Sequence, residues 1–361
     1  MRRKEFLNSM LLYSKTRASN PSVTNFFKEN YFNIINQGNY KNIAILSLDQ
    51  NIVAEFSLKF PDINFINTES FLKSFSAVDL CIVTDFFSTL EDRLCIKLSK
   101  LLSSVSKECI FGMNVKAKTI SKTVRPRQVL KLSYMIEDYW SLSEVDYTDN
   151  AVYAYGRSRK PKVMTLPKGD SHFNRSKDRY QYHVLCMALK YLDKNSRKTA
   201  IDIGGHIGFY SIAMSEIFDK VISFEAFKNN YKCLVKNTYN ISNIKATNIA
   251  LSNKKEFLSA VVDNKNSGNI QLKKGKDIQA VPLDSFNIEK VDLIKIDVQG
   301  FEENVLRGAF KTINKNKPIL IVELEVDNKS GVNKNALKFI ENKLNYKLLI
   351  RYGKDFIMGP K

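Results

Sequence analysis

The stretch Ala200-Ile-Asp-Ile-Gly-Gly-His-Ile-Gly-Phe-Tyr210 decides the fold. Ile201 and Ile203 are β-branched, a strand pattern that breaks at Gly204 and Gly205, with Gly208 three residues on. Phe209, Ile212, Ala213 and Ile217 then recur at helical spacing. The order is strand, glycine turn, helix. Glycine permits positive φ and close backbone approach, and a helix N-terminus offers free N–H groups, so such turns are where α/β sheets hold nucleotide-like ligands. A G-G-x-x-G pattern alone also occurs in plain tight turns. Glu225 favours the ligand reading: it closes Val221-Ile-Ser-Phe-Glu225, about twenty residues after the turn, from where a carboxylate accepts both hydroxyls of a ribose.

Downstream of Glu225, strand and helix patterns alternate. A helix is expected over Lys228–Asn240, a strand over Ile244–Ala250, and strands over Phe257–Asp263 and Ile278–Leu283. Between the last two lies a polar loop, 264–277, with Ser267, Gly268 and four lysines, readable as a lid or substrate loop or as a surface hairpin. Val291–Val298 is a further strand, running into Gln299-Gly-Phe-Glu302 and a helix through Val305, Leu306, Ala309 and Ile313. Pro318 opens a strand over Ile319–Glu325; a helix over Val332–Leu344 and a hairpin about Gly353 close the chain. A helix over Arg179–Leu192, apolar on one face at Tyr182, Leu185, Cys186 and Leu189, precedes the glycine turn and is expected to cover the edge or mouth of the sheet.

Upstream, residues 1–38 read as one or two helices capped near Asn20 and Asn25 and ending at Gly38. Residues 39–156 form a second α/β pattern: strands over Ile43–Leu48, Ile63–Asn67, Val78–Thr84 and Glu108–Gly112, helices over Ile52–Phe60 and Leu90–Leu101, and a hairpin over Tyr139–Tyr155 turning at Asp149-Asn150. Its first strand runs into Ser47-Leu-Asp-Gln-Asn51 without a glycine, where a tight cofactor turn is hard to build. This is a degenerate Rossmann-like domain, joined by a basic linker, 157–175, to the domain of residues 176–361.

The net charge of +19 draws anionic partners such as nucleic acid or phosphorylated substrates, and it equally fits a chain rich in Lys and Asn throughout. Basic residues concentrate at 115–132, where six stand without an acid, and at 157–179. Five cysteines without a C-x-x-C pair point to reduced, buried thiols, and His172, His183 and His206 lack the spacing of a zinc site, so no metal is expected. No secretory segment or membrane-spanning run is found, and a cytoplasmic protein is expected.

In an open α/β sheet, ligands sit beyond the carboxyl ends of the strands. The polar residues there are Asp202 with its glycines, Glu225, Asn248, Asp297 with Gln299, and Glu323. The segments Ile201–Tyr210, Ser223-Phe-Glu-Ala226, Asn248-Ile-Ala-Leu-Ser252, Leu283-Asp-Ser-Phe286, Ile294-Lys-Ile-Asp-Val-Gln-Gly-Phe-Glu302, Val305-Leu-Arg-Gly308 and Ile321-Val-Glu323 together resemble the FkbM family of S-adenosylmethionine-dependent methyltransferases, over about 172–345. The resemblance implies a class I (Rossmann-like) methyltransferase domain, with a mostly parallel seven-stranded sheet ending in an antiparallel hairpin, that methylates a hydroxyl of a sugar or small molecule.

By the same resemblance, Asp202 and the backbone of Gly204, Gly205, His206 and Gly208, with Phe209 beside them, hold the methionine part of the cofactor. Glu225 and Ala226 face the ribose, and Asn248 and Ala250 the adenine. Asp297 lies where cofactor and acceptor meet. Two positions depart from the family pattern: Ala226 stands in place of proline, and Gln299 in place of a frequent glutamate, which removes a carboxylate there. Alcohol methylation needs a nearby base, for which Asp297 and His206 are candidates with Glu302 behind them. His206 can instead shape the turn, Glu302 can instead serve the helix dipole, and Lys295 reads as structural pairing. Two other functions fit the composition: an RNA methyltransferase using the basic surface, and a non-catalytic assembly protein with inert α/β domains.

Overall fold

The computed structural model describes residues 5–7, 10, 28–47, 49, 51–84, 87, 90–114, 127–148, 151–173, 178–195, 197–262, 266–324 and 332–361. The described residues divide into two compact units, with the boundary between Lys160 and Pro161. Asn20, Asn25, Asp149-Asn150, Glu325 and most of the first basic cluster lie outside the described residues.

The first unit contains α1 (Lys28–Gln37), β1 (Asn42–Leu46), α2 (Ile52–Lys59), β2 (Asn64–Ile66), α3 (Thr68–Ser74), β3 (Leu80–Val83), α4 (Asp92–Leu102), β4 (Glu108–Asn114), α5 (Arg127–Ile136), β5 (Trp140–Tyr147) and β6 (Ala151–Ser158). Its sheet runs β2-β1-β3-β4-β6-β5, parallel through β4 and antiparallel beyond. Ile43, Ile45, Leu80, Ile82 and Ile110 pack against Tyr31, Phe56 and Tyr153. α3 was not expected; Asn67 starts it by accepting the Ser70 N–H at 2.9 Å. Among the described residues just beyond the carboxyl end of β1 no glycine stands. There the Thr84 hydroxyl donates to Ser47 Oγ at 2.9 Å, and the Thr68 hydroxyl donates to the Ser47 carbonyl at 2.9 Å, so the polar groups satisfy one another.

The second unit contains α6 (Tyr182–Leu189), β7 (Thr199–Ile203), α7 (Phe209–Ser215), β8 (Lys220–Phe224), α8 (Lys228–Thr238), β9 (Ile244–Thr247), β10 (Ala250–Leu251), β11 (Glu256–Val261), β12 (Gln271–Lys274), β13 (Ile278–Val281), β14 (Val291–Ile296), α9 (Glu302–Gly308), α10 (Phe310–Asn316), β15 (Ile319–Glu323), α11 (Val332–Asn342), β16 (Tyr346–Tyr352) and β17 (Asp355–Pro360). Its seven-stranded sheet runs β16-β17-β15-β14-β7-β8-β9, with the last five parallel and the β16–β17 hairpin antiparallel. Ile201, Ile203, Phe224, Ile294, Ile296, Leu320 and Val322 form its buried centre with Val305, Leu306 and Ile340. Residues before α6 belong to this unit: Thr165 N–H donates to Asn237 Oδ1 at 2.7 Å, and Asn237 Nδ2 returns a bond to the Thr165 carbonyl at 3.0 Å.

Several expected elements differ. The strand over Ile244–Ala250 is two: β9 pairs with β8, whereas β10 joins a separate sheet, β10-β13-β11-β12. Asn248 divides them, its amide donating to the carbonyls of Glu225 at 2.8 Å and Ala226 at 3.1 Å. The loop 264–277 contains β12, paired antiparallel with β11. The helix after Gly300 breaks at Ala309 because Asp284 caps a new start, accepting Lys311 N–H at 2.9 Å and Thr312 N–H at 2.8 Å. α6 is shorter than expected, and seven of its eight residues are buried, so it is an internal helix rather than an amphipathic cover.

Candidate functional site

The β7–α7 turn forms as its glycines dictate. Gly204 has φ +82° and Gly208 φ +104°, both in the region that favours glycine. Gly204 and Gly205 donate their N–H groups to the Phe224 carbonyl at 2.9 and 3.0 Å, which fixes the turn against β8. A Cβ on Gly204 would stand 1.8 Å from the Asp297 carbonyl oxygen, so the β7 turn and the end of β14 touch through main chain.

Around this turn lies a cleft of about 820 Å³, lined by Asp202, Gly204, Gly205, His206, Phe209, Glu225, Ala226, Ala250, Asp297 and Glu302 among others. These expected site residues, distant in sequence, are brought together. Gly208 and Asn248 do not line it: Gly208 starts α7 against Leu234, and Asn248 braces the β8 end as described. The lining also holds Tyr180, Asn230, Ser267, Lys295, Glu323 and Lys354.

Each carboxylate has its own environment. Asp202 is buried and accepts the Ser211 hydroxyl at 2.6 Å; burial pushes its carboxyl above the ordinary aspartate range. Glu225 accepts the N–H of His206 and of Phe227, both at 2.8 Å, yet burial outweighs these bonds and lifts its pKa to about 7. Glu302 closes the β14–α9 turn: its Oε1 accepts Gly300 N–H at 2.9 Å and Val298 N–H at 3.3 Å, while among the described residues its buried Oε2 has no hydrogen-bond partner.

Lys295 is the cation on which this wall is built. It is 2% exposed, its Nζ is 3.0 Å from Asp297 Oδ2 and 4.8 Å from the centre of the Tyr210 ring, and it sits beside Asp202 in the β14–β7 register. Burial disfavours its charge, but Asp297, Asp355, Glu323 and Asp202 more than compensate, and its pKa is raised. Burial likewise opposes ionisation of Asp297, yet Lys295 and a 2.7 Å bond from Gln299 Nε2 hold it below the aspartate range. The reading of Lys295 as mere pairing understated it. Strand alternation, which puts residues 295 and 297 on one face, was the available signal.

His206 is held from the far side of the chain. Its Nε2 is 2.6 Å from Ser267 Oγ; the Ser267 hydroxyl and N–H both reach Asp170 Oδ2, the N–H at 3.0 Å. Despite partial burial Asp170 is held below the aspartate range by these bonds and by Phe173 N–H, so it is ionised and only accepts. Ser267 therefore donates to Asp170 and accepts from His206, which places the imidazole proton on Nε2 and leaves Nδ1 bare. Burial lowers the His206 pKa to about 4, keeping the ring neutral. Asp170 and Ser267 are 97 residues apart; Ser267 lies in the loop expected as a lid, a substrate loop or a surface hairpin, whereas nothing in the sequence singled out Asp170.

The second basic cluster is partly withdrawn from any anion-facing role. Arg179 is buried and ion-paired with Glu216, and Arg159 bonds the Glu137 carbonyl at 3.1 Å, whereas Arg157 stays exposed while pairing with Glu108 at 3.2 Å. Among the described residues no helix is long and apolar enough to cross a membrane.

The cleft suits a cationic, nucleoside-bearing cofactor. Five carboxyl side chains and two lysines line it, an acidic lining in a chain of net charge +19. Glu225 directly follows β8, and among the described residues Asn230 presents a buried Oδ1 without a hydrogen-bond partner. A mostly parallel seven-stranded sheet with a closing hairpin, a glycine turn after β7 and an acid after β8 define a class I methyltransferase domain dependent on S-adenosylmethionine. Residues 202–348 match the model of the methyltransferase FkbM domain, and the second unit is an FkbM-family methyltransferase domain. The methyltransferase FkbM of Methylobacillus flagellatus KT is similar at 13% identity over 90% of this chain and 91% of its own, with TM-score 0.35. Haemonchus contortus phosphoethanolamine N-methyltransferase 2, in complex with phosphomonomethylethanolamine and S-adenosylhomocysteine, is similar at 11% identity over 90% of this chain and 83% of its own, with TM-score 0.31. Aeropyrum pernix fibrillarin with bound S-adenosylmethionine is similar at 10% identity over 60% of this chain and 81% of its own, with TM-score 0.33. None of these likenesses specifies an acceptor. A search of curated proteins found no match.

Proposed function

We propose that the second unit transfers the methyl group of S-adenosylmethionine to a hydroxyl of a sugar or small-molecule acceptor, with Asp297 as the proton acceptor. The observation that carries this reading is the main-chain contact between Gly204 and Asp297, which fixes an ionised carboxylate against the turn expected to hold the cofactor. Bound S-adenosylmethionine supplies a sulfonium methyl, whose bonding pair to sulfur leaves with the sulfur. The chain's task is to hold the acceptor oxygen in line, exclude water and receive the hydroxyl proton. In this reading Asp202 and the turn 204–208, with Phe209, hold the methionine part, Glu225 and Ala226 the ribose, and Ala250 the adenine side.

Glu302 serves the turn that positions Asp297 rather than touching the acceptor, since its Oε1 is engaged by Gly300 and Val298. His206, neutral with Nδ1 bare, is the second candidate base. The acidic lining favours a neutral acceptor over a polyanion, because a phosphate backbone would meet carboxylates at the cleft. Transfer of labelled methyl groups to a panel of glycosides, small alcohols and RNA tests the reading. Labelling of hydroxyl compounds, lost in Asp297→Asn, is the expected result; labelling of RNA alone would overturn it.

A further inference from the structure

Beyond the base already assigned, the end of β15 carries a second acid of the same wall. Asp297 follows β14 and Glu323 ends β15, and these strands are parallel neighbours in which Ile296 pairs with Val322. The register sets the two acids side by side on the wall of the cleft. Two carboxyl groups held next to each other away from water resist double ionisation, so the pair favours one proton and one negative charge.

The surrounding groups decide which one. Asp297 already has Lys295 at 3.0 Å on Oδ2 and the Gln299 amide at 2.7 Å on Oδ1, both suited to an anion. Glu323 has no such cation at contact distance among the described residues; opposite it in the β15–β17 pairing stands another acid, Asp355, whose buried Oδ1 has no hydrogen-bond partner. The other titratable groups facing the pair include Asp202 on β7, His206 in the β7–α7 turn, Tyr210 on α7, Glu225 after β8, Glu302 at the start of α9 and Tyr180 before α6.

We infer that Glu323 is the protonated partner of Asp297, and that the two carboxyls act as one unit holding a single proton and a single negative charge above Lys295. This rests on the reading of Asp297 as the proton acceptor. Before transfer Glu323 donates a hydrogen bond to the Asp297 carboxylate. The acceptor's hydroxyl proton then moves to Asp297, leaving both carboxyls protonated and the negative charge discharged. Glu323 is thus a positioning residue: it orients Asp297 and keeps a second anion from forming beside it. Burial and the neighbouring Asp297 charge, which raise the Glu323 pKa to about 8, agree with this assignment.

The test needs no knowledge of the acceptor. The full chain, labelled with ¹³C at glutamate and aspartate carboxyls and saturated with S-adenosylhomocysteine, is titrated by NMR from acid to alkaline pH. A glutamate carboxyl titrating near 8, absent from Glu323→Gln and moved toward the ordinary glutamate range in Asp297→Asn, is the expected result. Three outcomes overturn the inference: no glutamate titrating above neutrality in the unsubstituted protein, persistence of that signal in Glu323→Gln, or its indifference to Asp297→Asn. The same titration without S-adenosylhomocysteine separates the two readings. Failure to bind S-adenosylhomocysteine counts against the cofactor site, whereas an alkaline glutamate signal in the free protein still reports the pair.

Discussion

Gly204→Ala tests whether main-chain contact between the β7 turn and the β14 end builds the cofactor site. Two effects act at this position. The first is conformational: at φ +82° an L-residue sits in the left-handed region, at a cost of about 1–2 kcal/mol. The second is steric: the new Cβ would lie 1.8 Å from the Asp297 carbonyl oxygen and 2.9 Å from its carbon, so backbone must move. Forcing extra volume into packed surroundings costs roughly 1–3 kcal/mol more. Gly353, in the β16–β17 turn, isolates the first effect, having φ +60° and nothing within 4 Å of its built Cβ. Urea denaturation should therefore place Gly353→Ala about 1–2 kcal/mol below the unsubstituted protein, with Gly204→Ala lower again by roughly 1–3 kcal/mol. Because the displaced main chain carries Asp297, Gly204→Ala should also weaken S-adenosylhomocysteine binding by at least about tenfold, or 1.4 kcal/mol, in calorimetry. Equal destabilisation of the two variants, with unchanged binding in Gly204→Ala, would refute the reasoning.

Other outcomes follow from the same geometry. Ser267→Ala removes the bridge between His206 and Asp170, and the lost hydroxyl bond to the Asp170 carboxylate is worth about 1.5–3 kcal/mol; ¹⁵N NMR of His206 should show the fixed Nε2–H form in the unsubstituted protein and a tautomer mixture in the variant, and an unaltered tautomer would contradict the relay. Glu225, Glu323 and Asp355 have folded pKa values raised to about 7, 8 and 6. Each therefore binds protons more tightly folded than unfolded, and its contribution to stability falls as pH rises through the interval between the two values. Denaturation curves should lose stability from about pH 4, the unfolded carboxylate value, up to about pH 8, less steeply in Glu323→Gln; an identical slope in that variant would place the titration elsewhere. Retention on immobilised RNA should be weak and fall steeply with salt, as expected for a non-specific basic surface; salt-resistant retention would point to a dedicated RNA site.

The glycine turn, the acid after β8 and the parallel strand order were legible because each rests on local chemistry: positive φ, strand alternation and spacing of apolar residues. What stayed hidden was non-local. Asn248 divides a predicted strand by bonding the two carbonyls just beyond β8, Asp284 breaks a predicted helix by capping it from another segment, and Asp170 reaches His206 through Ser267. Lys295 was visible but undervalued, since nothing in its neighbours announces that four acids converge on it.

The central claim is that the acidic cleft beside the β7–α7 turn binds S-adenosylmethionine through Asp202 and Glu225. Isothermal calorimetry with S-adenosylhomocysteine on the unsubstituted chain, Asp202→Ala and Glu225→Ala tests it most directly. One saturable site in the unsubstituted chain, lost in both variants while their thermal unfolding remains cooperative, is the predicted result. Absence of binding at large ligand excess, or equal affinity in all three proteins, would contradict it.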